Sequence, residues 1–199
     1  KGKIPKEQWY NLARFLYAEK NMLAEATNTL EDLILYYPKK QYWVQLSFMY
    51  SEQGMEPKQL AAMDTAYVQD LLEKDGEYRN MASLFLNAEV PYKASVVLGE
   101  GFEEEIVDSN SKNWELYASA LRQAQEVEDA IPAMAKAAQM SDDGDLYARL
   151  GNIYLDADQN EKAIDAITKG RERGGVKRPD NARLVLGMAY FNTKKYSDA

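Results

Sequence analysis

The sequence predicts an all-α chain, an α-solenoid of stacked antiparallel helix pairs. Composition, a repeat near 34 residues and a small residue recurring at one place in each repeat predict it. Leu and Ala run along all 199 residues, Gly and Pro number only 11 and 6, and alternating Val/Thr-rich runs are few. That balance favours helix over strand. Tyr17, Tyr50, Phe85, Leu121, Tyr154 and Tyr190 are followed, nine residues later, by Ala26, Gln59, Ala94, Ala130, Ala163 and Ala199. The intervals in that second series are 33, 35, 36, 33 and 36 residues, which makes about five and a half copies of one unit.

The copies follow in order as one array, at about 7–39, 40–74, 75–110, 111–143, 144–179 and a truncated 180–199. Each full copy holds two helices of roughly 13–15 residues, too short to bury an apolar face alone, so neighbours must share a core. A bulky residue opens the first helix at Tyr10, Trp43, Tyr78, Trp114 and Tyr147. A small one follows at Ser47, Ala82, Ala118, Gly151 and Gly187, with Arg14 breaking the pattern in the first copy. The second copy carries Gln59 where the others have Ala.

Between copies, "YYPKK" (36–40), "SDDGD" (141–145) and "RGGVKRPD" (173–180) supply the Pro, Gly and Asp of helix stops and caps. Pro91 and Pro132 are expected at or near the first turn of a second helix, where a missing N–H breaks little. Trp9, Trp43, Trp114 and most of the 14 Tyr fall at or beside repeat positions and are read as packing residues. The sixth copy stops where its second helix would open, so Leu184, Leu186 and Tyr190 are expected to lack the partner helix that should cover part of them. The chain is expected to be part of a longer protein.

Cysteine and histidine are both absent, which removes disulfides, thiolate or imidazole zinc sites and His-based triads together. The net charge of −8 and a pI near 4.8 leave no basic stripe for nucleic acid, and no apolar run is long enough to span a bilayer. "DADQNE" (156–161) places Asp156, Asp158 and Asn160 like the first ligands of a calcium loop. It then fails where Gly and a bidentate Glu are required, having Glu161 and Ile167. It is read as a turn capping the second helix around Asp158 or Asn160. The acidic "EGFEEEI" (100–106) is read as a solvated helix end. No phosphate loop or nucleophile elbow is present, so no catalytic, cofactor or metal residue is assigned.

These motifs resemble the tetratricopeptide repeat: aromatic, Leu-Gly/Ala and Tyr on the first helix, then Ala-aromatic/Leu-Ala on the second. The resemblance implies a right-handed superhelix whose first helices line a concave face, a protein-binding surface in this family. At the inward positions stand Asn11, Phe15, Gln41, Val44 and Phe48, then Arg79, Ser83, Lys112, Arg122, Arg149 and Asn152. The early group suits an apolar anchor, and the later one offers a basic stripe for acidic groups of a peptide. The Lys/Asn clamp with which some tetratricopeptide cochaperones grip a terminal carboxylate is not reproduced: Asn11, Val44, Arg79 and Phe15, Phe48, Ser83 occupy its sites.

Several stretches resemble something narrower: "YYPKKQYWVQLSFMYSE", "NAEVPYKASVVL", "RQAQEVEDAIP", "MSDDGDLYARLG" and "KRPDNARLVLGMAYFN". They are similar to the tetratricopeptide proteins that accompany TonB–ExbB–ExbD energy-transduction clusters in gammaproteobacteria. That resemblance implies a periplasmic, non-enzymatic accessory of ferric-siderophore uptake, with subunits of the complex as protein partners. Two other readings stand beside it: an adaptor of pilus or outer-membrane biogenesis, and an accessory domain of a glycan hydrolase.

Overall fold

Short amphipathic stretches bounded by turn residues become eleven helices of 13 or 14 residues in the computed structural model, which describes residues 4–196. They are α1 (Glu7–Glu19), α2 (Leu23–Tyr36), α3 (Lys40–Glu52), α4 (Glu56–Val68), α5 (Asp75–Asn87) and α6 (Pro91–Glu103). After these come α7 (Ser111–Gln123), α8 (Val127–Gln139), α9 (Gly144–Asp156), α10 (Asn160–Arg173) and α11 (Pro179–Asn192). There is no strand among the described residues. Five helix pairs and one single helix agree with the predicted all-α solenoid of about five and a half repeats. The chain divides into two compact units at Glu77/Tyr78, within α5.

The bend inside each pair is built alike. Asn21, Gly54, Glu89, Gln125, Asp158 and Lys194 all have φ between +56° and +67°. Each lies five residues before a member of the Ala/Gln series, so the sequence period is also a backbone period. A single left-handed residue stops the first helix, and its neighbours close the turn with backbone bonds such as Gln159 N–H to Tyr154 C=O, 2.8 Å. The "DADQNE" stretch is this bend. Its expected cap is corrected: Gln159 is the N-cap residue of α10 and no side chain caps it, because Asp158 is spent on the left-handed turn. Side-chain caps do occur between copies, where Asn110 accepts from Asn113 N–H and Asp143 from Asp145 N–H.

Pro91 opens α6, and Pro132 lies in the second turn of α8, next to its first turn. It removes the bond that the Glu128 carbonyl would accept. Both residues are exposed, which leaves that carbonyl open to solvent.

The unit ending at Glu77 has its core between α2, α3 and α4: Leu30, Leu33, Ile34, Tyr42, Leu46, Tyr50 and Ala62, with Trp43 half-buried against them. Helix α1 contributes no buried residue. Trp9 is 56% exposed, against the expectation that it packs. The residues at its position in four other copies, Tyr42, Asn113, Leu146 and Ala182, are buried, and Glu77 in the third copy is half-buried. Tyr42 shows the reason, since it sits among side chains of the preceding α2, and no such helix precedes α1 among the described residues.

Polar bonds hold α1 instead. Asn11 donates to the Tyr42 hydroxyl at 3.0 Å, Lys39 pairs with Glu7 at 2.7 Å, the Tyr42 hydroxyl donates to Glu7, and Arg14 donates to Gln45. Arg14 thus bridges neighbouring copies where the others place a small residue.

In the unit from Tyr78, α5 and α6 bury Met81, Ala82, Phe85, Ala94, Val97 and Leu98, and two further cores are shared by the later helices. One joins α7, α8 and α9 through Ala118, Leu121, Ala130, Ala133, Met134, Leu146, Leu150 and Ile153. Trp114 flanks it, stacked on Phe102 at 3.9 Å and 7°. The other joins α9, α10 and α11 through Ala148, Ala163, Ile167, Ala182, Val185, Leu186 and Ala189. Leu186 is covered and Tyr190 half-covered by the preceding helices, while Leu184 is exposed. The stripe at 182, 185, 186 and 189 turns toward α9 and α10, which leaves Leu184, Met188 and Phe191 on the open side. Ala199, the last member of the series, lies outside the described residues.

Gly151 is where α9 and α10 approach: a Cβ there would stand 2.4 Å from Ile167 Cγ1 and 3.2 Å from the Ala163 carbonyl. At Gly187, its counterpart on α11, a Cβ would meet nothing within 4 Å. Gly151→Ala should therefore lower unfolding stability by about 1–3 kcal/mol through overpacking. Gly187→Ala should be neutral or raise it by up to about 1 kcal/mol through helix propensity. Urea midpoints of the two variants check this.

A second expectation concerns α1. The bond from Lys39, then that from Tyr42, hold the Glu7 carboxyl below its ordinary value. A group with a depressed pKa stabilises the fold above its unfolded value and loses that contribution as pH falls through the folded one. The stability difference between the wild type and Glu7→Gln should thus shrink on acidification from about pH 5 to 3. Thermal melts across that range measure it.

Candidate functional site

Two surfaces carry the residues singled out in the sequence, one in each unit. In the amino-terminal unit, Phe15 on α1 and Phe48 on α3 are 59% and 64% exposed. They are 33 residues apart and hold the same repeat position on adjacent first helices. Val44 and Asn11 are half-buried and Gln41 exposed. With its amide on Tyr42, Asn11 braces this face more than it offers a free donor.

In the carboxy-terminal unit a cleft of about 480 Å³ opens between α7, α9 and the start of α11. Its floor is the shared core at Ala118, Met134, Ala148, Ile153 and Ala182, and its walls are polar. Arg122, Arg149 and Asn152, three of the predicted residues, line it together with Ser119. Lys112, Arg79 and Ser83 do not; Lys112 and Arg79 are exposed elsewhere, and Ser83 bonds the Arg79 carbonyl at 2.8 Å.

The remaining wall comes from a segment read only as a helix stop. Residues 174–178 lay Val176, Lys177 and Arg178 along the cleft, and Asn181 follows on α11. Three anchors hold the segment. Gly144 N–H donates to the Gly174 carbonyl at 2.9 Å, Val176 packs on the α9–α11 core, and Lys177 N–H donates to Asp145 Oδ1 at 2.9 Å. Asp145 is 5% exposed, and its second oxygen accepts from Arg149 Nε at 3.0 Å. One buried carboxylate thus fixes both an arginine of the helix wall and the backbone of the loop wall.

Two of the cleft's four cations are closely engaged. Arg122 pairs with Asp156 at 2.7 Å, and Arg149 with Glu115 at 2.5 Å as well as with Asp145. Lys177 Nζ stands only loosely near Asp143 and Asp145, at 3.9 and 4.0 Å. Arg178 has no ion pair among the described residues. Asn181 donates to Asn152 at 3.1 Å, which ties α11 to α9 across the floor. No group of three acidic side chains among the described residues is placed to hold a metal ion.

No protein-family model matches the chain, and no curated protein matches it. Solved structures do. YrrB, described as a tetratricopeptide protein with an unusual peptide-binding site, superposes with a TM-score of 0.65 at 15% identity, over 94% of this chain and 90% of that one. A MamA structure gives 0.65 at 18% identity over 79% and 84%. MamA of Desulfovibrio magneticus RS-1, from residue 41 onward, gives 0.59 at 16% identity over 89% and 98%. The fold is a tetratricopeptide-type solenoid. At such identities the likeness extends to the fold alone.

The carboxylate at the base of the cleft gives a direct test of its construction. Asp145→Ala should speed hydrogen exchange at the Lys177 amide and cost about 1–3 kcal/mol, the penalty for buried polar groups left without a partner. Exchange of the core amides of α7 and α8 should change little beyond that global loss.

Proposed function

We propose that this chain is a non-enzymatic scaffold whose grooved faces hold a peptide segment of a protein partner. The observation that carries the reading is the cleft between α7, α9 and α11, which gathers side chains from successive first helices around an apolar floor. Successive helices at a near-constant spacing suit an extended or helical segment, with apolar anchors fixing affinity and polar walls fixing register. The exposed Phe15 and Phe48 offer a second place for an apolar anchor. The peptide-binding site attributed to YrrB is in keeping with such a use of the fold.

We further propose that the partner belongs to a TonB–ExbB–ExbD energy-transduction complex and that the protein works in the periplasm in ferric-siderophore uptake. Support comes from the resemblance of the non-consensus stretches at 36–52 and 177–192. Crosslinking and affinity capture of the full-length protein from iron-starved cells should recover subunits of that complex. The same capture with Phe15→Ser and Phe48→Ser combined should recover less while the melting temperature stays unchanged, since both side chains are mostly exposed. Recovery of pilus or outer-membrane assembly proteins in their place would overturn the TonB assignment and keep the scaffold.

A further inference from the structure

The geometry points to the loop at 177–178, rather than the helix-borne arginines, as the part of the carboxy-terminal cleft that recognises acidic side chains of a bound peptide. This inference rests on that cleft being a peptide site. Arg122 and Arg149 are the cations a reading of helix faces selects, yet each already has carboxylate partners at 2.5–3.0 Å. A ligand carboxylate reaching either one would have to displace Asp156, Glu115 or the buried Asp145, exchanging one ion pair for another with little gain.

Arg178 has no such partner among the described residues, and Lys177 Nζ is no closer than 3.9 Å to any carboxylate it faces. Both line the same cleft as Asn181, at the first turn of α11, which no side chain caps. That turn adds unpaired N–H groups beside the two cations. Because the loop is pinned through its backbone, at Lys177 N–H and Gly174 C=O, these side chains are presented from a fixed frame. The apolar floor at Ala148, Ile153 and Ala182 suits an aliphatic side chain next to the acidic one. The favoured ligand is therefore a segment alternating aliphatic and carboxylate residues.

The test uses a fluorescein-labelled peptide of alternating leucine and glutamate, its leucine–glutamine analogue, and anisotropy at low ionic strength. The wild type should bind the glutamate peptide about 10-fold more tightly than the glutamine one. Lys177→Gln combined with Arg178→Gln should abolish that preference. Both changes leave the Lys177 backbone bond to Asp145 intact, and melting curves verify that the variant is folded. Arg122→Gln should alter the preference by less than about threefold.

Equal affinity of the wild type for the two peptides would overturn the inference. So would a preference that survives in the double variant, or one that Arg122→Gln removes as completely. Partner capture from iron-starved cells reads the scaffold function separately, so the loop can fail this test while that function stands.

Discussion

Close approach of neighbouring helices is what the remaining structure depends on. No pair here can bury its own apolar face, and α1 shows the effect of lacking cover on one side: thirteen helical residues and none buried. Ser47, Ala82 and Ala118 are each at most 2% exposed, and Gly151 meets Ile167 so closely that a methyl group would not fit. These small positions set the distance at which the next helix can lie. The large core residues, Leu33, Met81, Leu98 and Ile167, fill what that distance leaves.

Polar bonds then fix how one copy sits on the next. Arg122 to Asp156 and Arg149 to Glu115 both span 34 residues, and Asn160 to Asn192 spans 32. The first two join nearly equivalent positions on successive first helices, and the third joins the start of α10 to the end of α11. Their worth at an exposed surface is small individually. Their consequence for function is larger, because they occupy the charges that would otherwise face a ligand. Arg122 and Arg149, two cations of the helix faces, are thus largely neutralised by carboxylates of the same acidic chain.

The period, the helix pairs and the small positions were legible in the sequence because each rests on local spacing. The left-handed residue of each bend was hidden, since only Gly54 advertises it while Asn21, Glu89, Gln125, Asp158 and Lys194 adopt it without glycine. Trp9 misled because residue type gives only a preference, and cover by a neighbouring helix decides the outcome. At the cleft, Arg122, Arg149 and Asn152 followed from the repeat register. Lys177 and Arg178 did not, because a Gly-Gly segment gives no sign of which way it will be drawn. Asp145 draws it, from 32 residues away. Val176, an isolated apolar residue among glycines and cations, was the available sign that the segment is anchored.

Helix α11 has one face packed on α9 and α10 and the other bare at Leu184, Gly187 and Met188. It is also a wall of the cleft. In a stack where every element is steadied by those beside it, each added contact counts toward the local order of a helix. Any segment seated between Asn152, Lys177 and Asn181 would supply α11 with contacts that its own chain withholds among the described residues. Occupancy of the cleft and local order of that helix are then linked, since a segment bound there adds contacts to α11.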